Sequence, residues 1–293
     1  MHAPPFAHAL LVVNPIAGRG SAGERAERLA RGLEALGIGT EIFRTQARGD
    51  AAERVAKLAP EVDLVVTVGG DGTLGEVLSR LSVEIPVAVL PMGTANVLAS
   101  DLRLPRRVPD LLRTIAAGRT VDIDTARVNG RLSFLVVGVG FDGEIVRDVE
   151  RRRRGPITKA FYVTSVLRCL WHNRPPELRV WVDGESVPGL WGWVLVSNLV
   201  GYGGILKLSP ERVLDDGLYE VYLFPRGTRR ALLKYGLLGL LGRLPGRSCK
   251  MVRARRVRVE SDRPVPYEVD GDFGGETPIE FEVAPERHRL IVP

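Results

Sequence analysis

A short apolar run at residues 9–13 has the pattern of a strand buried on both faces of a parallel sheet, and residues 40–44, 63–68 and 87–90 read as further strands. Stretches of helical spacing alternate with them. After Ser21, the residues Ala26, Leu29, Ala30, Leu33 and Leu36 share one face, and Gly37 ends the run. Asp50 is placed to cap a helix carrying Ala51, Val55 and Leu58. Residues 73–81, 95–102 and 110–117 continue the helical pattern. This rhythm predicts a parallel sheet covered by helices.

The pattern changes near residue 120. Residues 121–128 and 132–139 read as strands joined by Asn129-Gly130, and residues 178–182 run into Asp183-Gly184, both dipeptides of two-residue hairpins. Further strands are expected at 193–197, 218–224, 252–260, 267–269 and 279–283. Two helices, 158–171 and 228–241, interrupt them. The second carries Leu232, Leu233, Leu237, Leu238, Leu240 and Leu241 and reads as a core-packing helix. The expected plan is an α/β domain over residues 1–122 and a mainly β domain over 123–293, whose last residues pack back on the first.

The 293 residues are 45% apolar and 26% charged, as in a globular chain. The net charge of +6 comes almost wholly from arginine and suits a phosphorylated ligand or an anionic membrane face. Nucleic acid is disfavoured, because the basic residues are dispersed and no recognition module occurs. The two cysteines, Cys169 and Cys249, sit in unrelated contexts. They form no zinc motif and fit a reducing cytosol. No secretory leader or membrane span is read. The expected location is therefore cytoplasmic, with transient membrane association.

The strongest chemical signal is Gly69-Gly70-Asp71-Gly72-Thr73, between a buried strand and a helix. Three glycines let backbone amides approach phosphate oxygens, and the helix N-terminus adds partial positive charge. Asp71 is an acid where phosphates would lie, a placement rewarded by magnesium binding or proton abstraction. Asn14-Pro15-Ile16-Ala17-Gly18 and Pro91-Met92-Gly93-Thr94-Ala95-Asn96 end two other strands. In open parallel sheets ligands bind beyond the carboxyl ends of strands.

Residues 64–81 (LVVTVGGDGTLGEVLSRL) resemble the nucleotide-binding signature of the diacylglycerol kinase catalytic domain, a family that includes sphingosine kinases. Asn14-Pro15 with Gly18, Thr45 with Gly49-Asp50, and Gly93-Thr94-Ala95-Asn96 resemble its companion motifs in order. Gly138-Val139-Gly140-Phe141-Asp142, Leu208-Ser209-Pro210 with Asp216-Gly217-Leu218, and Val269-Asp270-Gly271-Asp272 match further on. NAD kinases share the glycine element; the later motifs favour the lipid kinases.

The resemblance implies a phosphofructokinase-like α/β domain, a C-terminal β-sandwich, and ATP in the cleft between them. Asn14, Pro15, Gly18, Thr45, Gly69, Gly70, Gly72, Thr73, Glu76, Gly93, Thr94 and Asn96 would form the nucleotide site. Asp71 would hold Mg2+ or help activate the substrate hydroxyl, Asp124 would support a water and magnesium network, and Asp272 would stand where relatives carry a glutamate general base. A structural Mg2+ would take the Asp216 carboxylate and the carbonyls of Val213 and Leu218. The implied reaction is ATP- and Mg-dependent phosphorylation of a lipid alcohol, with an anionic membrane surface as partner and a homodimer allowed. The alternatives are an NAD kinase-like phosphotransferase and a catalytically weak nucleotide- or lipid-binding regulator. Val97 replaces an acid found in many relatives, and Gly75 replaces an asparagine beside Glu76. Either Asp71, Asp124 and Asp272 suffice, or Asp101 compensates one helical turn on, or catalysis is weakened.

Overall fold

The computed structural model describes residues 4–153, 159–202, 206–208 and 213–293. In chain order the elements begin β1 (His8–Val13), α1 (Ala22–Ala35), β2 (Gly39–Arg44), α2 (Asp50–Val55), β3 (Leu64–Gly69), α3 (Asp71–Leu78), β4 (Val87–Pro91), α4 (Val97–Asp101) and α5 (Val108–Ala117). There follow β5 (Thr120–Val128), β6 (Arg131–Ser133), β7 (Val136–Val139), α6 (Phe141–Arg152), α7 (Lys159–His172), β8 (Leu178–Val182), β9 (Glu185–Trp191) and β10 (Trp193–Ser197). The remainder is β11 (Gly201–Tyr202), β12 (Leu206–Lys207), β13 (Tyr219–Phe224), α8 (Arg229–Leu240), β14 (Lys250–Ala254), β15 (Arg256–Glu260), β16 (Pro266–Val269), β17 (Asp272–Glu276) and β18 (Ile279–Ile291). Residues 1–123 and 286–293 form one compact unit and residues 124–285 the other.

The first unit is an α/β layer. Its strands lie in the order β2-β1-β3-β4, all parallel, and Leu290 of β18 pairs in parallel with Val87 of β4. Leu10 to Val13 and Leu64 to Val66 are wholly buried because helices cover both sheet faces, so these strands read as continuous apolar runs rather than alternating ones. The α1 face Ala22, Ala26, Leu29, Ala30 and Leu33 is buried in that core. Gly32 of α1 lies so close to Leu112 of α5 that a Cβ there would come within 2.3 Å of its Cδ1.

The second unit consists mainly of antiparallel sheets. One carries β18-β15-β8-β9, the other β14-β13-β10-β7-β16-β17. Their facing sides share one core, in which Val194, Val196 and Val221 meet Val257, Val259 and Phe281. The opposite side of the six-stranded sheet presents Trp193, Leu195, Tyr222 and Phe224 to the helices, where Leu232 and Tyr235 of α8 and Leu170 of α7 cover them. Burial on both faces explains why β10 reads Trp-Val-Leu-Val with no polar alternation.

Several expectations change. Residues 252–260 are two strands of different sheets, broken at Arg255, which accounts for their imperfect alternation. Residues 132–139 divide between β6 and β7, because the amides of Phe134, Leu135 and Val136 bond to the Asp270 carboxylate. The helix expected from Thr73 begins at Asp71. The strand expected at 279–283 runs on to Ile291, β9 is the second strand of the hairpin read at Asp183-Gly184, and α6 and β17 were not foreseen. Helix α8 is not wholly a core helix: Leu233, Leu237, Leu240 and Leu241 are exposed. Arg154, Thr158, Ser209 and Pro210 lie outside the described residues.

Candidate functional site

Strand ends β1, β3 and β4 turn together in the first unit. Asn14 N donates to Val68 O at 3.0 Å, Gly18 N to Met92 O at 2.8 Å, and Met92 N to Gly69 O at 2.7 Å. Thr45, at the end of β2, joins them through its N–H to Val13 O at 2.9 Å. Asp50 accepts from the amides of Gln46 and Ala47 and closes the turn after Thr45, and these donors hold its carboxyl below the usual range. Four of the sequence motifs thus meet through main-chain bonds.

Two turns touch backbone to backbone. A Cβ on Gly93 would lie 2.6 Å from Gly70 Cα and 2.8 Å from Asn96 Oδ1, so side chains are excluded at both glycines. Asn96, buried and left-handed at φ 48°, clamps its own turn: its Oδ1 accepts from Gly93 N and its Nδ2 donates to Gly93 O. In this arrangement Asn96 shapes the loop. Thr94 is exposed on it, and Thr73 is buried against Gly69. Gly72 is exposed and Glu76 half-buried on α3. Gly93→Ala should lower the unfolding free energy by about 1–3 kcal/mol, since the added methyl meets backbone rather than a movable side chain. A urea titration with an unchanged midpoint would show that the two turns are not in contact.

Asp71 opens α3 and is half-buried. Its Oδ2 accepts from Val97 N at 2.9 Å. Burial pushes its carboxyl above the usual range, opposed by backbone amides of Val97, Leu98, Asp71 and Asn96. Val97 therefore contributes its amide where a relative's acid would contribute a side chain. Backbone N–H groups and one carboxylate at a helix start are donors and an acceptor of the kind that suit phosphate oxygens and a cation.

A second constellation belongs to the second unit. Buried Asp124 donates its amide to Leu214 O at 2.7 Å, and its Oδ2 accepts from Gly217 N at 2.6 Å. Asn198 Nδ2 and Tyr219 OH donate to its carbonyl. Asp124 thereby fixes the 214–217 loop. Asp216 accepts from Leu218 N through Oδ1, and its Oδ2 lies 3.7 Å from Arg253 Nη1. Carboxylates and loop carbonyls make an oxygen-only donor set, the chemistry magnesium prefers, with one protein carboxylate and retained waters. No group of three His, Cys, Asp or Glu side chains that could hold a metal occurs among the described residues.

Asp272 begins β17 and pairs with Arg131 at 2.7 Å. Asp270 and Gly271, both at positive φ, form the two-residue turn ahead of it. The Asp270 carboxylate accepts from Ser133 Oγ and from the amides of Phe134, Leu135 and Val136, and Glu268 Oε2 accepts from Gly271 N. Burial, with Asp142 next in effect, pushes Glu268 well above the usual range, and Trp193 Nε1 donates to Asp142. Sequence reasoning gave Asp270 and Asp142 only as motif letters and passed over Arg131, Ser133 and Glu268. The Asp-Gly dipeptide just after the strand read at 267–269 was the available signal for the turn.

The family model for the diacylglycerol kinase catalytic domain matches residues 8–128, and that for the YegS C-terminal NAD kinase beta sandwich-like domain matches residues 135–292. The chain belongs to the YegS-like diacylglycerol kinase family. Membership makes it a kinase-family phosphotransferase. A diacylglycerol kinase of Bacillus subtilis (strain 168) is 28% identical over 97% of this chain and 96% of its own length. One from Mycobacterium tuberculosis (strain H37Rv) is also 28% identical, over 96% and 94%. A crystal structure of a diacylglycerol kinase from Bacillus anthracis str. Sterne shares the fold at TM-score 0.76 and 22% identity, over 99% of this chain and 98% of that one. The fold extends to an NAD kinase from Archaeoglobus fulgidus in complex with ATP, at TM-score 0.56 and 16% identity, over 97% and 93%.

Proposed function

We propose that this family member is a lipid kinase that transfers the γ-phosphoryl group of ATP, with Mg2+, to the hydroxyl of a diacylglycerol-like or sphingoid lipid. The observation that carries the reading is the joining of three strand ends around Asp71, with glycines that leave amides bare. Phosphoryl transfer needs positioning and charge neutralisation more than covalent chemistry, and this cradle supplies donors for phosphate oxygens. A magnesium ion bound with the nucleotide would neutralise phosphate charge. Asp71 is the carboxylate placed to hold it, and Asp216, with the carbonyls of Val213 and Leu218, fits a structural ion.

Asp272 is proposed to accept the proton of the lipid hydroxyl. The fixed turn at Asp270-Gly271 and the Arg131 guanidinium orient its carboxylate. Asp272→Asn should cut kcat on the order of 10²–10⁴-fold while leaving ATP affinity near the native value. Undiminished turnover would remove Asp272 from the reaction and leave Asp71 as the base. The full reading is tested by incubating the protein with Mg-ATP and a panel of lipid alcohols, with NAD in a parallel arm, and identifying products by mass spectrometry. Phosphorylated lipid is the expected product; NADP alone would favour the NAD kinase-like alternative.

A further inference from the structure

Helices α7 and α8 pack against the same side of the six-stranded sheet through Leu170, Leu232 and Tyr235. Their outward sides should then be polar. They are not. Val163, Leu167 and Trp171 of α7 are exposed at helical i, i+4, i+8 spacing, with Trp171 at 69%. Leu233 and Leu237 of α8, with Leu241 just past its end, repeat the same spacing, with Leu233 at 60%. The Arg229 guanidinium lies over the Trp171 ring at 5.2 Å, so the two stripes adjoin.

Neither helix carries an acid of its own. No Asp or Glu occurs between Glu150 and Glu177, or between Glu220 and Glu260. Arg168 is committed to Asp148 at 3.3 Å, but Arg229, Arg230 and Lys234 rise from the same helix as the exposed leucines. Exposed apolar side chains beside cations, on helices that carry no acid, match a bilayer with anionic headgroups: the apolar stripe enters the acyl boundary and the cations meet phosphates. A protein partner with its own acidic patch would not require two apolar stripes, and a second copy of this face would bring like charges together.

We infer that the outward face of α7 and α8 is a membrane-docking surface for anionic lipid. It extends the lipid-kinase reading by giving the enzyme a route to a bilayer-borne alcohol, but binding itself needs neither ATP nor substrate. Among the described residues no helix is long and apolar enough to cross a membrane, so docking is peripheral.

The test is flotation of the full chain with vesicles of phosphatidylcholine alone and of phosphatidylcholine with phosphatidylglycerol, without nucleotide. Native protein should float with the anionic vesicles and release as salt rises. Leu167→Glu and Leu237→Glu should each weaken binding at least about tenfold, and Arg230→Glu and Lys234→Glu about fivefold each. Leu36→Glu, at an exposed residue that ends α1 in the first unit, should bind as native. Thermal melts of each variant guard against unfolding. Phosphorylation of a short-chain, water-dispersed diacylglycerol should be unchanged in Leu167→Glu. Native protein that ignores anionic vesicles, or equal binding by all variants, would overturn the docking face. So would a concentration-dependent dimer that Leu237→Glu disperses in the absence of vesicle binding. Intact flotation with no lipid product would instead count against the kinase reading alone.

Discussion

Asp71→Asn should abolish most phosphoryl transfer, with kcat falling roughly 10²–10⁴-fold, while the fold survives. The asymmetry follows from the local bonds. Asp71 Oδ2 accepts from Val97 N, and an asparagine oxygen can accept the same bond. The turn before α3 then keeps its shape. What is lost is the negative charge, and with it the cation-holding role proposed for Asp71. Because Val97 offers no carboxylate of its own, no side chain next to that amide replaces the charge. Steady-state rates on the phosphorylated lipid, with nucleotide affinity and melting temperature measured beside them, check this. Turnover close to native would take Asp71 out of the chemistry and assign it to loop structure.

The largest effect on stability should come from Asp270→Ala. The carboxylate collects one hydroxyl and three amide donors from residues 133–136, of which Ser133, Phe134 and Leu135 are buried and Val136 half-buried. Deleting it strands four donors at once, and each buried orphan costs about 1–3 kcal/mol before relaxation and water entry. A net loss on the order of 3–5 kcal/mol in urea unfolding is expected. Asp270→Asn keeps one acceptor oxygen and should lose less. Burial, opposed by these donors, raises the Asp270 carboxyl to about 6. A raised folded-state value means the native state binds the proton more tightly than the unfolded chain. The stabilising contribution is then fully present below about pH 4 and lost as pH rises through about 6. The native protein should show this loss and Asp270→Asn should lack it. Flat stability across that window in both proteins would contradict the buried-carboxylate picture.

The parallel half of the molecule was legible because burial on both faces writes itself as unbroken apolar runs, and because three glycine turns mark the strand ends. The second half was legible where hairpins announce themselves, at Asn129-Gly130 and Asp183-Gly184, whose residues do adopt positive φ. It was less legible where one apolar run serves two sheets, as at Ala254 and Arg256, since periodicity carries no record of which sheet a strand joins. The α8 leucines were misread for a related reason: leucines spread around several faces of one helix give no sign of which of them stay outside. In the site, residue types and order indicated the first-unit cradle, but not the Asn96 clamp or the use of Val97 through its amide. Those depend on a left-handed asparagine and a main-chain donor, neither of which has a side-chain signature.

The path of β18 sets an order of assembly. Residues 124–285 are inserted between residue 123 and the returning segment 286–293, where Leu290 pairs beside β4. During synthesis β4 must wait as an open sheet edge while the whole inserted unit emerges, and edges of that kind invite pairing with foreign strands. The half carrying Asp71 is therefore last to close, after the sandwich.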